Sequence, residues 1–344
     1  MLSRRSALGA LAGLLGAPLV GCRRGRSLSL YNWGDYLAPE LIERFAAREQ
    51  GAELVQDFYL AEAEMAAKLE AGATYDLAVP IDYLLSSLTH KGLLRELAPL
   101  PAGVEHLAAD RRPWVDDEDG SVHAIPYLWG TTGIGYDSDK IEAPTSWNAL
   151  FDERWAGRIS VIDSKGDVMD QGLLAAGLDI NSTDKPKLRE LVWPKLRAQK
   201  QILRAYDSNP AAALIEGQTW IAQIDSGDLF RAQAQRPSLR YVIPSEGAAL
   251  WVDYLVIPTR ASEPSLARRF IEFMLEPENA AINANVLRFA TPNQTAIDRG
   301  LIADAGDPQL YPPPEVRAKL FTSENWFGGT GALVDEIWLD LRSG

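Results

Sequence analysis

Two extended apolar runs constrain this chain more than anything else in it. "VHAIPYLWGTTGIGYD" (122–137) and "ALWVDYLVIP" (249–258) are mostly apolar, and the first is far longer than an ordinary strand. A run of that length can pass from one domain into another, and the second can carry the chain back. At 344 residues the chain also exceeds the size at which one core keeps growing. Two domains joined by crossing strands are therefore expected, one from 28–130 plus 252–297 and the other from 131–251 plus 298–344.

Between these runs strand and helix signals alternate, as in an α/β fold. "SLSLYNW", "AELVQDFY" and "YDLAVP" read as strands, interleaved with helices in "APELIERFAAREQG", "EAEMAAKLEAG" and "DYLLSSLTHKG". Pro39 suits the first turn of the first helix, and Gly51 its stop. A second unit follows, with strands in "RISVID", "ILRAYD", "TWIAQID" and "RYVIP". Its helices are expected in "TSWNALFDERWAG", "DVMDQGLLAAG", "KPKLRELVWPKLRAQ" and "NPAAALIEGQ". "SLARRFIEFMLEPENAAINANV" and the amphipathic "GALVDEIWLDLRSG" complete the helices. Open α/β sheets bind ligands at strand ends. Here those ends repeatedly carry an aromatic or an acid: "YNWGDY", "VPIDY", "VIDSKGD", "AYDSN", "QIDSGD" and "LWVDY".

The first 21 residues read as an export signal, with Arg4 and Arg5 ahead of an apolar stretch too short to span a bilayer. "LVGC" matches a bacterial lipobox, so Cys22, the only cysteine, is expected to carry lipid, with 22–27 as a spacer. Removing that signal takes away two arginines and no acid, leaving 32 basic residues against 47 acids and a formal charge of −15. Such a body disfavours nucleic acid and attracts cations.

Catalytic chemistry finds little support. The cysteine belongs to the processing signal, the three histidines (His90, His106, His123) are scattered, and no G-x-S-x-G elbow occurs. Metal-ligand spacings are missing too, and "DDEDG" (116–120) lacks EF-hand order. Neither a catalytic role, nor a metal, nor a cofactor is expected. Asp163 with Asp167, or Asp225 with Asp228, would suit a glycosidase by spacing alone. These acids, however, keep company with indoles and phenols. An organic cation fits that company better: an alkylammonium stays protonated near neutral pH, needs an opposing carboxylate when buried, and is attracted to aromatic faces.

In the order and spacing of "LYNWGDYLAPELIERF", "YDLAVPIDY", "AIPYLWGTTGIGYD", "SWNALFDERWAGRISVID", "SNPAAALIEGQ", "LWVDYLVIP" and "TPN", the chain resembles the bacterial spermidine/putrescine-binding proteins. These are the extracytoplasmic receptors of polyamine ABC importers. The resemblance implies a two-lobe periplasmic-binding-protein fold of type II, a polyamine ligand in an acidic and aromatic cleft, an ABC permease as partner, and a monomer. Carried over by position, Trp33, Tyr36, Tyr83 and Trp251 are wall aromatics, and Asp253 is the carboxylate for an amino group. Asp167 takes the place of an acid that binds an ammonium, Asp228 matches an acid of putrescine-type members, Asp163 and Asp225 lie at the same mouths, and Glu324 is a C-terminal contact. Gly34 stands where relatives often have a hydroxyl, Ser164 where spermidine-type members have an acid, and Asp225 where they have a stacking tryptophan. A sensory protein of the same fold, or a receptor for another organic cation, would present the same pattern.

Overall fold

The computed structural model describes residues 26–343. The export signal and Cys22 lie outside the described residues. Eleven strands form one continuous mixed sheet: β1 (Ser27–Trp33), β2 (Glu53–Tyr59), β3 (Leu77–Ala78), β4 (Trp114–Val115), β5 (Val122–Asp137), β6 (Ile159–Ile162), β7 (Leu203–Asp207), β8 (Ile221–Asp225), β9 (Leu239–Val242), β10 (Ala248–Val256) and β11 (Leu320–Phe321). The backbone order is β2-β1-β3-β10-β5-β8-β6-β7.

β1 pairs in parallel with β2 and with β3, and parallel pairing requires a crossover between successive strands. The helices Pro39–Arg48 and Glu62–Glu70 supply those crossovers, and Asp82–His90 follows β3. Leu41 and Phe45, four residues apart on the first helix, bury the same face. The two long runs behave differently. β5 and β10 are antiparallel neighbours in the middle of the sheet, and both continue through it from one half to the other. The near half of β5 packs Ile125 and Tyr127 into a core with Leu30, Phe45, Phe270 and Leu255. Its far half sends Ile134 and Tyr136 into a separate core with Trp147, Ile159, Val168 and Ile337. Gly130 and Trp251 face each other across the pair at the level where the packing changes sides.

Several elements differ from expectation for identifiable reasons. "TSWNALFDERWAG" forms two short 3-10 turns, Trp147–Phe151 and Glu153–Trp155, because the Asp152 carboxylate accepts from the Arg154 N–H and restarts the chain. "KPKLRELVWPKLRAQ" contains a π turn at Leu188–Val192, just before Pro194, which has no N–H to give the helical ladder. Pro277 likewise splits one expected helix into Pro264–Leu275 and Pro277–Leu287. A helix at Ser226–Gln233 was not expected.

The expected lobe boundary at residue 298 comes too early. Ile302 packs against Ala281, Ala284 and Ala296, and Leu310 against Trp129 and Ala290. The chain rejoins the second core only at β11, where Leu320 and Phe321 pair with Ala248 and Ala249. Ala281 and Ala284 of the helix Pro277–Leu287 belong to the cluster against which this segment packs.

Trp147 anchors the second core. It is 1% exposed, and its indole N–H donates to the Gly247 carbonyl at 2.8 Å. Trp147→Ala should destabilise the protein by about 3–5 kcal/mol, read as a lowered midpoint of urea unfolding.

Candidate functional site

The site is assembled where the parallel strands of the first lobe end and the crossing strands pass beneath them. β1 delivers Trp33 at its last position and Tyr36 in the following turn. The turn after β3 delivers Ile81, Asp82 and Tyr83, and Ile81 bridges to Asp253 on β10. β10 supplies Trp251 and Asp253, and its register with β5 shifts between Asp253 and Tyr254. From the second lobe, β8 ends in Asp225, and the helix Lys165–Ala175, capped by Ser164, carries Asp167 in its first turn.

Asp253 is the most confined of these groups, at 4% exposure. One carboxylate oxygen accepts from the Tyr36 hydroxyl at 2.7 Å, and the other is buried without a partner. Burial pushes its pKa well above the usual carboxylate range, and the fields of Asp82, Glu62 and Asp225 push it the same way. Asp225 accepts from the Thr132 hydroxyl at 2.7 Å and from the Trp251 indole N–H at 3.0 Å. Desolvation still raises it to about 7, reinforced by Asp228. Asp167 is raised well above its ordinary value by burial and by Asp225, Asp170 and Glu62. Its residue stays partly exposed.

The aromatic part is as organised as the acidic part. Tyr36 packs edge-on against Tyr127 and Phe289, with centroids 5.7 and 5.4 Å apart, and Trp251 packs edge-on against the same Phe289 at 5.3 Å. Trp33 leans on Tyr59 at 4.3 Å. The cleft thus combines indole and phenol walls with carboxylates that no Lys or Arg pairs with among the described residues: Glu62, Asp167, Asp225 and Asp253 form no salt bridge. Burying an unpaired carboxylate costs several kcal/mol, a cost that protons or a cation relieve.

Seven of the ten residues singled out in the sequence come together here: Trp33, Tyr36, Tyr83, Asp167, Asp225, Trp251 and Asp253. Three are placed otherwise. Asp163 is paired with Arg342 at 2.6 Å, on the side where the C-terminal helix packs. Asp228 is paired with Arg231, one helical turn away; burial still raises its pKa, and its field adds to that on Asp225. Glu324 is exposed, and only its backbone N–H is engaged, by Asn181 at 2.9 Å. Its neighbours matter more. Ser323 donates to Asp170 at 2.7 Å, and the Asn325 amide donates to the Tyr83 carbonyl at 2.9 Å, which ties this segment to both lobes.

Two acids besides Asp82 escaped the sequence reading. Asp170 is 6% exposed, with one oxygen unpartnered and its pKa raised to about 7 by burial; an aspartate amid the apolar face of Val168, Met169 and Leu173 was its signal. Glu62 follows the end of β2, in the same position relative to its strand as Tyr36 is to β1, and "DFYLAEAE" fits the strand-end pattern.

Fold and site together define a two-lobed solute-binding protein. The model of the bacterial extracellular solute-binding protein family matches residues 40–309, and the chain belongs to that family. It is 30% identical, over 98% of its length and 97% of the relative's, to the spermidine/putrescine-binding periplasmic protein of Escherichia coli K12. It is also 30% identical to the putrescine-binding periplasmic protein SpuD of Pseudomonas aeruginosa, over 92% of each chain. A solved structure described as a putative spermidine/putrescine ABC transporter from Listeria monocytogenes superposes with a TM-score of 0.84, at 31% identity, over 92% of this chain and 99% of the other.

The raised carboxylates fix a pH dependence. Asp82, Asp170 and Asp225 titrate near 7 in the folded protein and near 3.8 otherwise, so between about pH 4 and pH 7 the native state holds more protons than the unfolded chain. Stability therefore falls as pH rises through that window. The melting temperature of the ligand-free protein should be higher at pH 5 than at pH 8, and Asp225→Asn should flatten the dependence.

Proposed function

We propose that this chain is the extracytoplasmic receptor of an ABC importer and holds a linear polyamine between its lobes. The observation that carries the reading is Asp253: a nearly inaccessible carboxylate, oriented by Tyr36, with a free oxygen, no basic partner among the described residues and aromatic faces around it. A protonated amine satisfies that oxygen, and the methylenes between amines lie against Trp33, Tyr83 and Trp251. Each cationic contact with an aromatic face contributes roughly 0.5–2 kcal/mol. The names of the relatives supply the ligand class, since they are proteins described as binding spermidine and putrescine.

In this reading Trp33, Tyr36, Tyr83, Trp251, Asp253, Asp225 and Asp167 contact the ligand. Asp228 acts at one remove, while Asp163 and Glu324 have lesser claims. Ligand contacts from both lobes favour the closed arrangement over the open one, and the membrane permease receives that closed form. The hydrogen bond from Asn325 to the Tyr83 carbonyl belongs to this closed arrangement. The receptor works as a monomer tethered to the membrane by lipid on Cys22, with the short basic stretch after it as a spacer.

Calorimetry and thermal shift with a diamine-to-tetramine panel test the reading. Amine at about 100 times its dissociation constant should stabilise the protein by roughly 2.7 kcal/mol. Asp253→Asn should weaken binding by roughly 2–5 kcal/mol, because it leaves a buried ammonium without its counter-charge. The absence of a shift with every amine would reject the polyamine assignment. For the anchor, Cys22→Ser should move the exported protein from the membrane fraction to the soluble one; continued membrane retention would reject lipidation.

A further inference from the structure

The crossing strand β10 has two faces, and only one of them serves the site described above. Trp251 packs on Phe289 and reaches Asp225, whereas its neighbour Leu250 packs with Trp129 and Val252 on the other side, as alternation along a strand requires. Over that second side lies an open groove of about 460 Å³, within the roughly 300–1,000 Å³ usual for small-ligand sites. Leu250, Ala318 and Leu320 give the groove apolar surface, and its charged lining is Asp110, Arg111 and Arg317.

The two arginines reach the groove from different parts of the chain. Arg111 follows a segment that the Ala108 N–H ties to the Pro292 carbonyl at 2.9 Å, and its guanidinium lies over the Trp129 ring, 4.7 Å from the centroid. Stacking of this kind holds the plane of the fork. Its close hydrogen bond goes to the Asp110 backbone carbonyl at 2.7 Å, and its Nε is buried without a partner. Arg317 ends the short helix Pro314–Arg317, on the segment that returns to the second lobe. One oxygen of the exposed Asp110 carboxylate stands 3.4 Å from Arg111 and 3.5 Å from Arg317, outside the about 2.7–2.9 Å of a close charge-assisted bond. Two guanidiniums therefore face one carboxylate that is seated against neither. The groove keeps a net positive charge in a chain whose 47 acids outnumber its 34 basic residues.

We infer that this groove is a second ligand site, on the far side of β10 from the amine cleft, and that it takes a small organic anion: a carboxylate or phosphate group between Arg111 and Arg317, with an aliphatic body along Leu250, Ala318 and Leu320. A guanidinium offers parallel N–H donors whose spacing matches the oxygens of either group. Asp110 competes with such an anion for the same donors, and its exposure lets it turn to solvent as the anion enters. The inference uses no residue of the cleft and stands independently of the polyamine reading.

Calorimetric titration of the protein with hexanoate, hexyl phosphate and, as a neutral counterpart, hexanol tests the site. Wild type should bind at least one of the two anions, one per chain, and hexanol at least about tenfold more weakly. Which anion binds more tightly identifies the group the arginines select. Arg317→Gln should weaken anion binding at least about fivefold, whereas Asp110→Asn should tighten it about threefold or more by releasing both guanidiniums. Arg44→Gln, which removes a similarly exposed charge from the first helix, should change it less than about twofold. The opposite signs expected of Arg317→Gln and Asp110→Asn separate recognition from any loss of folding. No saturable binding of either anion, equal binding of hexanol, binding unchanged by Arg317→Gln, or no tightening in Asp110→Asn would overturn the inference.

Discussion

The contact on which the rest of the site depends is that of the Trp251 indole with the backbone of Gly130. A side-chain carbon at Gly130 would lie 2.4 Å from the indole ring, so the strand pair closes at this level only because residue 130 is glycine. With the indole held there, its N–H reaches Asp225 on β8. The other edge of the same stack is fixed in the same manner: a carbon added at Gly227 would fall 2.3 Å from Phe289, the ring that touches both Trp251 and Tyr36. Two glycines, one on a crossing strand and one at the start of a helix in the second lobe, thus let the aromatic wall form across the junction. Tyr36, seated against that wall, then orients Asp253.

The outcome is a well-packed frame around an electrostatically unfavourable centre. The two cores are built from buried aliphatic and aromatic side chains on separate sides of the crossing strands. Stability drawn from there tolerates several confined carboxylates at the junction, where folding alone would favour apolar groups. Proteins commonly concede local stability at functional sites in this way. The raised pKa values and the unfilled hydrogen-bonding capacity of Asp253 and Asp170 have one origin, the withdrawal of water from acids that lack counter-ions.

Much of this was legible in the chain because strand ends in an α/β sheet are marked by local sequence. "YNWGDY", "VPIDY" and "LWVDY" announced Trp33, Tyr36, Tyr83, Trp251 and Asp253 by their position after apolar runs. What the sequence does not carry is the direction of an acid relative to a distant partner. Asp163 and Asp167 share one short motif, yet Arg342, some 180 residues later, neutralises the first and leaves the second facing the cleft. Asp228 is similar, with Arg231 a turn away on a helix that the pattern did not reveal. Glu62 was missed for the opposite reason: its strand end conformed to the pattern, but its nearest motif reads as an ordinary charged helix start. The packing of Ile302 against Ala281 and Ala284 is likewise a long-range contact that local pattern does not display.

Asp225 changes meaning when seen in three dimensions. In sequence it marks the loss of a stacking tryptophan and suggests a cleft with less aromatic surface. In the structure its carboxylate braces the Trp251 indole and accepts from Thr132 as well, so one residue both positions an existing wall and adds negative charge beside it. Gly34 completes that exchange. A carbon at this position would meet nothing within 4 Å, so the glycine here is not enforced by packing. The acceptors placed at this junction are instead carboxylates on β8 and β10, one bracing an indole and the other held by a phenol.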